Sequence, residues 1–174
     1  EIRLSLVGSE MCIRDRYKKI AGRNAGPKGA KNLHPAIASV DVSSGGVLAL
    51  YGGDDYISNT RNWARTARPA ASTFKTYAAV AGMRHGFSLR SRLDGNAFTP
   101  DGGKTEVRNE NDKSYGTVSL RQAIAKSINT AFVDMVSRTK NGPKAVVQAA
   151  TDAGVPRGTG WDLNNRIALG TAEV

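Results

Sequence analysis

The chain has 174 residues, about the size of one domain, and a net charge of +10. Its 40% hydrophobic residues and 19 glycines are ordinary for a globular protein, which excludes a disordered chain. No apolar run approaches the roughly 18 residues that a membrane-spanning helix needs. A single cysteine, Cys12, excludes a disulfide framework and a cysteine-based zinc site. We expect neither a cofactor nor a metal.

The first sixteen residues differ in character from the rest. Residues Leu6–Arg16 spell LVGSEMCIRDR, which resembles the translation of a transposase sequencing adapter. We interpret residues 1–16 as a non-native, adapter-derived segment; the alternative is a genuine, irregular N-terminus. Residues 17–33, rich in Lys, Gly and Asn, are predicted to be a linker. The chain is then expected to begin inside a longer protein.

The next elements in chain order are a hairpin, a helix and a loop. Ala36–Val42 and Val47–Tyr51 are β-type runs separated by Ser-Ser-Gly-Gly, which predicts an antiparallel hairpin. The alanine-rich residues Pro69–Met83 predict a helix with the proline in its first turn. Leu89–Tyr115 is rich in Gly, Asn and Asp and predicts a long loop.

Short helices fill the remainder of the chain. A capping box at Ser119 predicts a helix that runs to about Lys126. Thr130–Thr139 and Lys144–Ala153 are predicted to be two more helices. A two-stranded hairpin is not stable alone, and no further strand is predicted. We therefore expect the chain to be a fragment at both ends.

The motif Ser-x-x-Lys occurs twice, at Ser72/Lys75 and at Ser137/Lys140. Ser72 lies near a predicted helix start, where backbone N–H groups are free and the helix dipole is positive. Residues three apart share a face of a helix, so Lys75 reaches Ser72. Burial would lower the lysine pKa, and a neutral amine would then take the serine proton. Ser137 lies at the C-terminal end of a helix, where we expect a solvated terminus.

Ser127 and Asn129 form a Ser-x-Asn between two predicted helices. In an extended connector, residues two apart point the same way, so a hydroxyl and an amide would enter one cleft together. Taken alone, the motif is better explained by Asn129 or Thr130 capping the next helix.

Together the two motifs resemble the penicillin-binding protein and serine β-lactamase superfamily. Three further stretches resemble class A, bifunctional penicillin-binding proteins: Ala36–Asp41 with Gly46–Tyr51, Arg68–Lys75, and Ala168–Val174. The resemblance implies that residues 34–174 are part of a transpeptidase domain. It implies an α+β fold, a five-stranded antiparallel sheet with packed helices, here truncated to the first hairpin and the helical subdomain.

The resemblance also implies the chemistry. Ser72 would be acylated by the D-Ala-D-Ala end of a peptidoglycan stem peptide, with Lys75 as its base. Ser127 would relay a proton to the leaving nitrogen, and Asn129 would hold the peptide amide. Implied partners are stem peptides, the lipid-linked precursor and β-lactam antibiotics, on the extracytoplasmic face of the bacterial cell membrane. Membrane association would come only from an N-terminal anchor outside the chain.

Two departures from the family pattern stand out. Ala71 replaces the glycine that usually precedes the serine, a change that we expect to be tolerated. The third motif, Lys-Thr/Ser-Gly, is absent, because Lys104-Thr105-Glu106 lacks the glycine; we expect that motif beyond Val174. The chain by itself is therefore expected to be inactive.

Alternative functions remain open on sequence grounds. A D,D-carboxypeptidase or a β-lactamase shares both motifs but passes the acyl group to water, and a penicilloylated sensor domain acylates once without turnover. Arginines at 61, 65, 68, 84, 90 and 92 interleaved with aromatics would suit a nucleic-acid surface. No nucleic-acid motif supports that last alternative, so we expect no nucleic-acid partner.

Overall fold

The computed structural model describes residues 34, 36–53, 60–100 and 103–174. The predicted adapter-derived segment 1–16 and linker 17–33 lie outside these described residues. The chain divides into two compact units, residues 1–66 and residues 67–174.

The first unit contains the predicted hairpin. Strand β1 (Ile37–Val40) pairs antiparallel with β2 (Val47–Tyr51), and a bulge shifts the register between Ser39 and Val40. The turn between them is held by Asp41, whose carboxylate accepts hydrogen bonds from Ser43 and Ser44. The hairpin prediction is confirmed, with the first strand shorter than expected.

Among its described residues, the second unit contains four α-helices, two short strands and three 3-10 segments. Helix α1 (Lys75–Arg84) follows a 3-10 turn at Ala71–Phe74. Helices α2 (Leu120–Ala125), α3 (Asn129–Arg138) and α4 (Gly142–Asp152) come in succession, and a 3-10 helix at Asn165–Leu169 follows them. The capping box predicted at Ser119 is present at the start of α2. The three predicted C-terminal helices are thus confirmed to within two residues at each end.

Two sequence predictions need correction. Strand β3 (Arg92–Asp94) pairs antiparallel with β4 (Thr117–Ser119), so strands do follow the first hairpin, and the predicted loop Leu89–Tyr115 contains one of them. Each strand has three residues, which are too few to show the alternation of apolar and polar residues that predicts a strand. The two pairs form separate two-stranded sheets.

The start of the long helix is the second correction. Pro69 does not lie in its first turn, because it forms a β-bridge with Glu173. The chain becomes α-helical only at Lys75. Pairing with the C-terminal segment outweighs the helix propensity of the alanines.

Helix α3 lies at the centre of the second unit and packs against α1, α4, β3 and the last 3-10 helix. A Cβ atom at Gly82 of α1 would lie 2.6 Å from the Met135 sulfur of α3, so the glycine permits the close approach of the two helices. The largest fully buried side chains include Phe74, Leu93, Phe132 and Ile167. This packing fixes the N-terminal ends of α1 and α3 side by side.

No helix among the described residues has the length and the hydropathy to cross a membrane.

Candidate active site

Ser72 is presented by a tightly constrained backbone. Ala71 has a φ of +49°, in the left-handed region, and Ser72 follows as an exposed residue of the 3-10 turn. The Ala71 N–H donates to the Gly170 carbonyl (3.0 Å), and Ala70 donates to Ala172 (3.0 Å). A Cβ atom at Gly170 would lie 1.9 Å from the Ala71 carbonyl oxygen. The C-terminal segment thus fixes the serine from behind, and only glycine fits at position 170.

Ser127 is presented by the C-terminal end of α2. The Ile128 N–H donates to the Ala123 carbonyl (3.0 Å), and the Ser127 N–H donates to Ile124 (3.2 Å). These two bonds are those of a Schellman motif, in which Ser127 holds the position that favours glycine. Its φ is +52°. A serine in this conformation turns its hydroxyl toward Lys75, at the expense of backbone strain.

Asn129 is the first residue of α3 and does not cap it, because Ile128 occupies the N-cap position without a side-chain hydrogen bond. Its Oδ1 accepts a hydrogen bond from Lys75 Nζ (2.6 Å). Its Nδ2 donates to the Arg108 carbonyl (3.1 Å). The capping alternative for Ser-x-Asn is therefore wrong for Asn129.

Lys75 brings the other three side chains together. Its Nζ lies 3.1 Å from Ser72 Oγ, 2.9 Å from Ser127 Oγ and 2.6 Å from Asn129 Oδ1. The Ser127 carbonyl oxygen, 2.7 Å away, is a fourth neighbour. The two carbonyl-type oxygens only accept hydrogen bonds, so they take two N–H groups of the lysine. A neutral amine then keeps its lone pair for the proton of a serine hydroxyl.

Burial explains why that amine loses its proton more readily than an exposed lysine does. Lys75 is 4% exposed, and no described carboxylate forms an ion pair with it. Desolvation lowers the pKa of Lys75 from 10.5 to about 8. The Phe132 ring, whose centroid lies 5.8 Å from Nζ, contributes to the apolar surroundings. A buried amine thus lies beneath an exposed serine.

Two cavities meet at Ser72 and Ser127. One of about 290 Å³ is mostly apolar, with Val80, Met83 and Ile124 in its wall. The other, of about 270 Å³, is polar and runs past Asn129. A larger cavity of about 460 Å³ lies elsewhere, beside Pro143 and Arg166, and contains none of the four site residues.

The second Ser-x-x-Lys motif lies apart from the site. Ser137 is exposed at the C-terminal end of α3 and donates to the Asp134 carbonyl (2.7 Å), as expected for a solvated terminus. His85 contacts the Ala81 carbonyl, and His34 stacks on Trp63. Within the described residues, no cluster of three or more metal-ligating side chains occurs.

Sequence reasoning missed three contributors to the site. The Arg108 carbonyl, the side chain of Asn109 and Gly170 all hold the predicted residues in place. Arg108 and Asn109 lie in the predicted loop, where asparagine and charge indicate only polarity. Gly170 lies in the Ala168–Val174 stretch that carries the family resemblance, and that was its one signal.

Comparison with known proteins identifies the family. The profile described as penicillin binding protein transpeptidase domain matches residues 36–168. The chain belongs to this family. Penicillin-binding protein 1A of Mycolicibacterium smegmatis is 32% identical over 151 residues, which cover 80% of this chain and 19% of that protein. Penicillin-binding protein 1A of Mycobacterium tuberculosis is 31% identical over 151 residues, which cover 80% of this chain and 18% of that protein.

Solved structures of the transpeptidase family share the fold. PonA1 of Mycobacterium tuberculosis in complex with penicillin V superposes with a TM-score of 0.71 at 30% identity, covering 79% of this chain and 39% of that one. Penicillin-binding protein 1A of Haemophilus influenzae gives the same TM-score at 21% identity. The chain spans about a fifth of the length of the curated relatives that it matches. The α+β transpeptidase fold predicted from the sequence is confirmed.

Proposed function

We propose that this domain is a D,D-transpeptidase that acylates Ser72 with a peptidoglycan stem peptide and transfers the acyl group to the amine of a neighbouring stem. One observation carries the proposal: the buried Lys75 amine contacts the hydroxyls of both Ser72 and Ser127. An amine with a lowered pKa, and with no carboxylate of the described residues paired to it, is suited to accept a proton.

The first half-reaction forms an ester on Ser72. Lys75 takes the hydroxyl proton as Ser72 Oγ attacks the carbonyl between the two D-alanines. The Ala71 N–H already donates to Gly170, so the oxyanion is stabilised by the next N–H groups at the start of the 3-10 turn. Ser127 then passes a proton from Lys75 to the departing nitrogen, and the C–N bond breaks to release D-alanine.

The second half-reaction reverses these roles. The acceptor amine attacks the ester carbonyl, its proton returns through Ser127 and Lys75, and the C–O bond to Ser72 breaks. Asn129 is proposed to hold the amide of the bound peptide through the same side chain whose Oδ1 contacts Lys75. The products are a cross-linked peptide and the regenerated serine.

The proposed partners follow from this reaction and from the relatives. They are stem peptides on lipid-linked precursors, and β-lactams, whose strained amide presents a similar carbonyl to the serine. The PonA1 structure, solved with penicillin V, supports the second partner. The place of action is proposed to be the extracytoplasmic face of the bacterial cell membrane, where such peptides occur.

Incubation of the full-length protein with a D-Ala-D-Ala pentapeptide donor and an amine acceptor tests the proposal. We expect released D-alanine to be matched by cross-linked product, with both lost in Ser72→Ala. Release matched only by hydrolysed tetrapeptide would show a carboxypeptidase instead. A single stoichiometric acylation by penicillin without turnover of the donor would show a sensor domain.

A further inference from the structure

Asn109 uses its whole hydrogen-bonding capacity inside the protein. It is 8% exposed, and its Nδ2 donates to the carbonyls of Gly95 (2.8 Å) and Lys113 (2.9 Å). Its Oδ1 accepts from both the N–H and the hydroxyl of Thr130, at 3.1 Å each. An amide offers two donors and two acceptor lone pairs, so no capacity is left over.

The residues next to Asn109 and Thr130 in the chain link this pair to the proposed catalytic residues. Thr130 follows Asn129 in α3, and Arg108 precedes Asn109 in the loop. The Arg108 carbonyl accepts the hydrogen bond from Asn129 Nδ2 (3.1 Å). Asn129 is therefore tied to this loop directly, by its bond to the Arg108 carbonyl, and through the next residue in α3, which bonds to Asn109. Its own Oδ1 contacts Lys75.

Water cannot readily replace Asn109 in this arrangement. The Thr130 N–H belongs to the first turn of α3, where the backbone has no intrahelical partner. Thr130 is fully buried, so without the Asn109 oxygen its N–H and hydroxyl are left unsatisfied unless the helix start opens. Opening would displace the adjoining Asn129.

We propose that Asn109 is a positioning residue for the reaction at Ser72, acting through Asn129 on the placement of Lys75. This inference rests on the proposed function. It assigns to the loop before β4 a part in the chemistry, although Asn109 touches neither Ser72 nor Lys75.

A double-mutant cycle in the full-length protein tests the inference, with the rate of acylation by fluorescent penicillin as the readout. We expect Asn109→Ala to slow acylation by at least about tenfold, since small misplacements of catalytic groups have large effects on rate. Residues that act through one another are not additive. Asn109→Ala combined with Asn129→Ala is therefore expected to acylate no more slowly than the slower single variant, within about twofold.

Controls separate positioning from loss of stability. Thr139→Val removes a buried hydroxyl that donates to Met135 (2.8 Å) at the opposite end of α3, and it should leave the acylation rate of the folded protein unchanged. If Asn109→Ala does not fold, substitutions at Thr130 test the inference instead. Thr130→Val, which deletes one bond to Asn109, should then acylate more slowly than Thr130→Ser, which keeps it.

Each unfavourable outcome has a distinct meaning. If penicillin never acylates the wild-type protein, the proposed function is wrong, and this inference is wrong with it. A wild-type acylation rate in folded Asn109→Ala, multiplicative effects in the double variant, or equal rates in the Thr130 pair would overturn the inference alone.

Discussion

At the scale of single residues, the protonation of Lys75 decides the proposed chemistry. Burial lowers its pKa to about 8, so the ammonium is the major form at pH 7 and the amine is present in about a tenth of the molecules. The folded chain releases this proton before the unfolded chain does. The free energy of unfolding therefore gains a contribution as pH rises from about 8 toward the unfolded value of 10.5.

We predict that acylation of Ser72 rises with pH through about 8 and then levels off, because the reactive form of Lys75 is the deprotonated one. The increase between pH 7 and pH 9 should be roughly tenfold. Stopped-flow labelling of the full-length protein across this range measures it. A rate that falls through pH 8 would contradict Lys75 as the base. Lys75→Arg, which stays charged, should abolish the reaction at every pH.

Ser127 offers a second prediction, because the position that it occupies favours glycine. Ser127→Ala and Ser127→Gly both remove the hydroxyl, but only glycine relieves the left-handed backbone, at φ +52°. Ser127→Gly should therefore be more stable than Ser127→Ala by about 1 kcal/mol in denaturant unfolding. Both should lose acylation to a similar degree. Equal stabilities would show that the conformation carries no strain.

At the scale of secondary-structure elements, the C-terminal segment positions the serine. Arg68 and Val174 exchange backbone hydrogen bonds (3.1 and 3.0 Å), and the pairing continues through Ala70 and Ala172 to Ala71 and Gly170. The segment before Ser72 is thus one side of a short antiparallel pair. The strain at Ala71 is maintained by this pairing.

Gly170→Ala should therefore harm both folding and acylation, since the new Cβ would lie 1.9 Å from the Ala71 carbonyl oxygen. The matched control is Gly154→Ala, where φ is also positive, +84°, but nothing lies within 4 Å. We expect the control to lose about 1 kcal/mol of stability and to acylate normally. Gly170→Ala should lose more stability and slow acylation at least about tenfold. Equal behaviour of the two variants would contradict the steric role of Gly170.

The sequence predicted those elements whose ends carry local signals. The capping box at Ser119 gave the correct start of α2, because that interaction is local. The strands β3 and β4 were missed, and α1 was started too early at Pro69, because their structure depends on partners far along the chain. Likewise Ser72 and Lys75 are visible as a motif, whereas Asn109 meets Thr130 only in the folded protein.

At the scale of the whole molecule, the first hairpin lacks sufficient apolar cover. Val47, Leu48 and Leu50 are 65%, 61% and 48% exposed. Within the part of the chain that the structure describes, strands β1 and β2 pair only with each other. Two strands alone are marginally stable in water. Exposed apolar strand surface also favours pairing between chains. The stability of this hairpin therefore depends on other surfaces that would cover its apolar side chains.

We predict that the 174-residue chain expressed alone melts without full cooperativity and acylates far more slowly than the full-length protein. Each 100 Å² of apolar surface left uncovered removes about 2.5 kcal/mol from a stability of roughly 5–15 kcal/mol. The sequence also contains no Lys-Thr-Gly or Lys-Ser-Gly to bind a substrate carboxylate. Calorimetry and penicillin labelling of both proteins measure the difference. A cooperative melt with a full acylation rate would contradict this prediction. Removal of residues 1–16 should change neither the melting behaviour nor the acylation rate.

The most direct test of the account is to identify the residue that penicillin modifies. The full-length protein is labelled, digested and analysed by mass spectrometry, alongside Ser72→Ala and Ser137→Ala. The second serine is a matched control, because it has the same Ser-x-x-Lys spacing but lies at the C-terminal end of α3. We predict one adduct per chain, on Ser72, that persists in Ser137→Ala and disappears in Ser72→Ala. An adduct on Ser137 or on any other residue, or no adduct at all, would contradict Ser72 as the nucleophile.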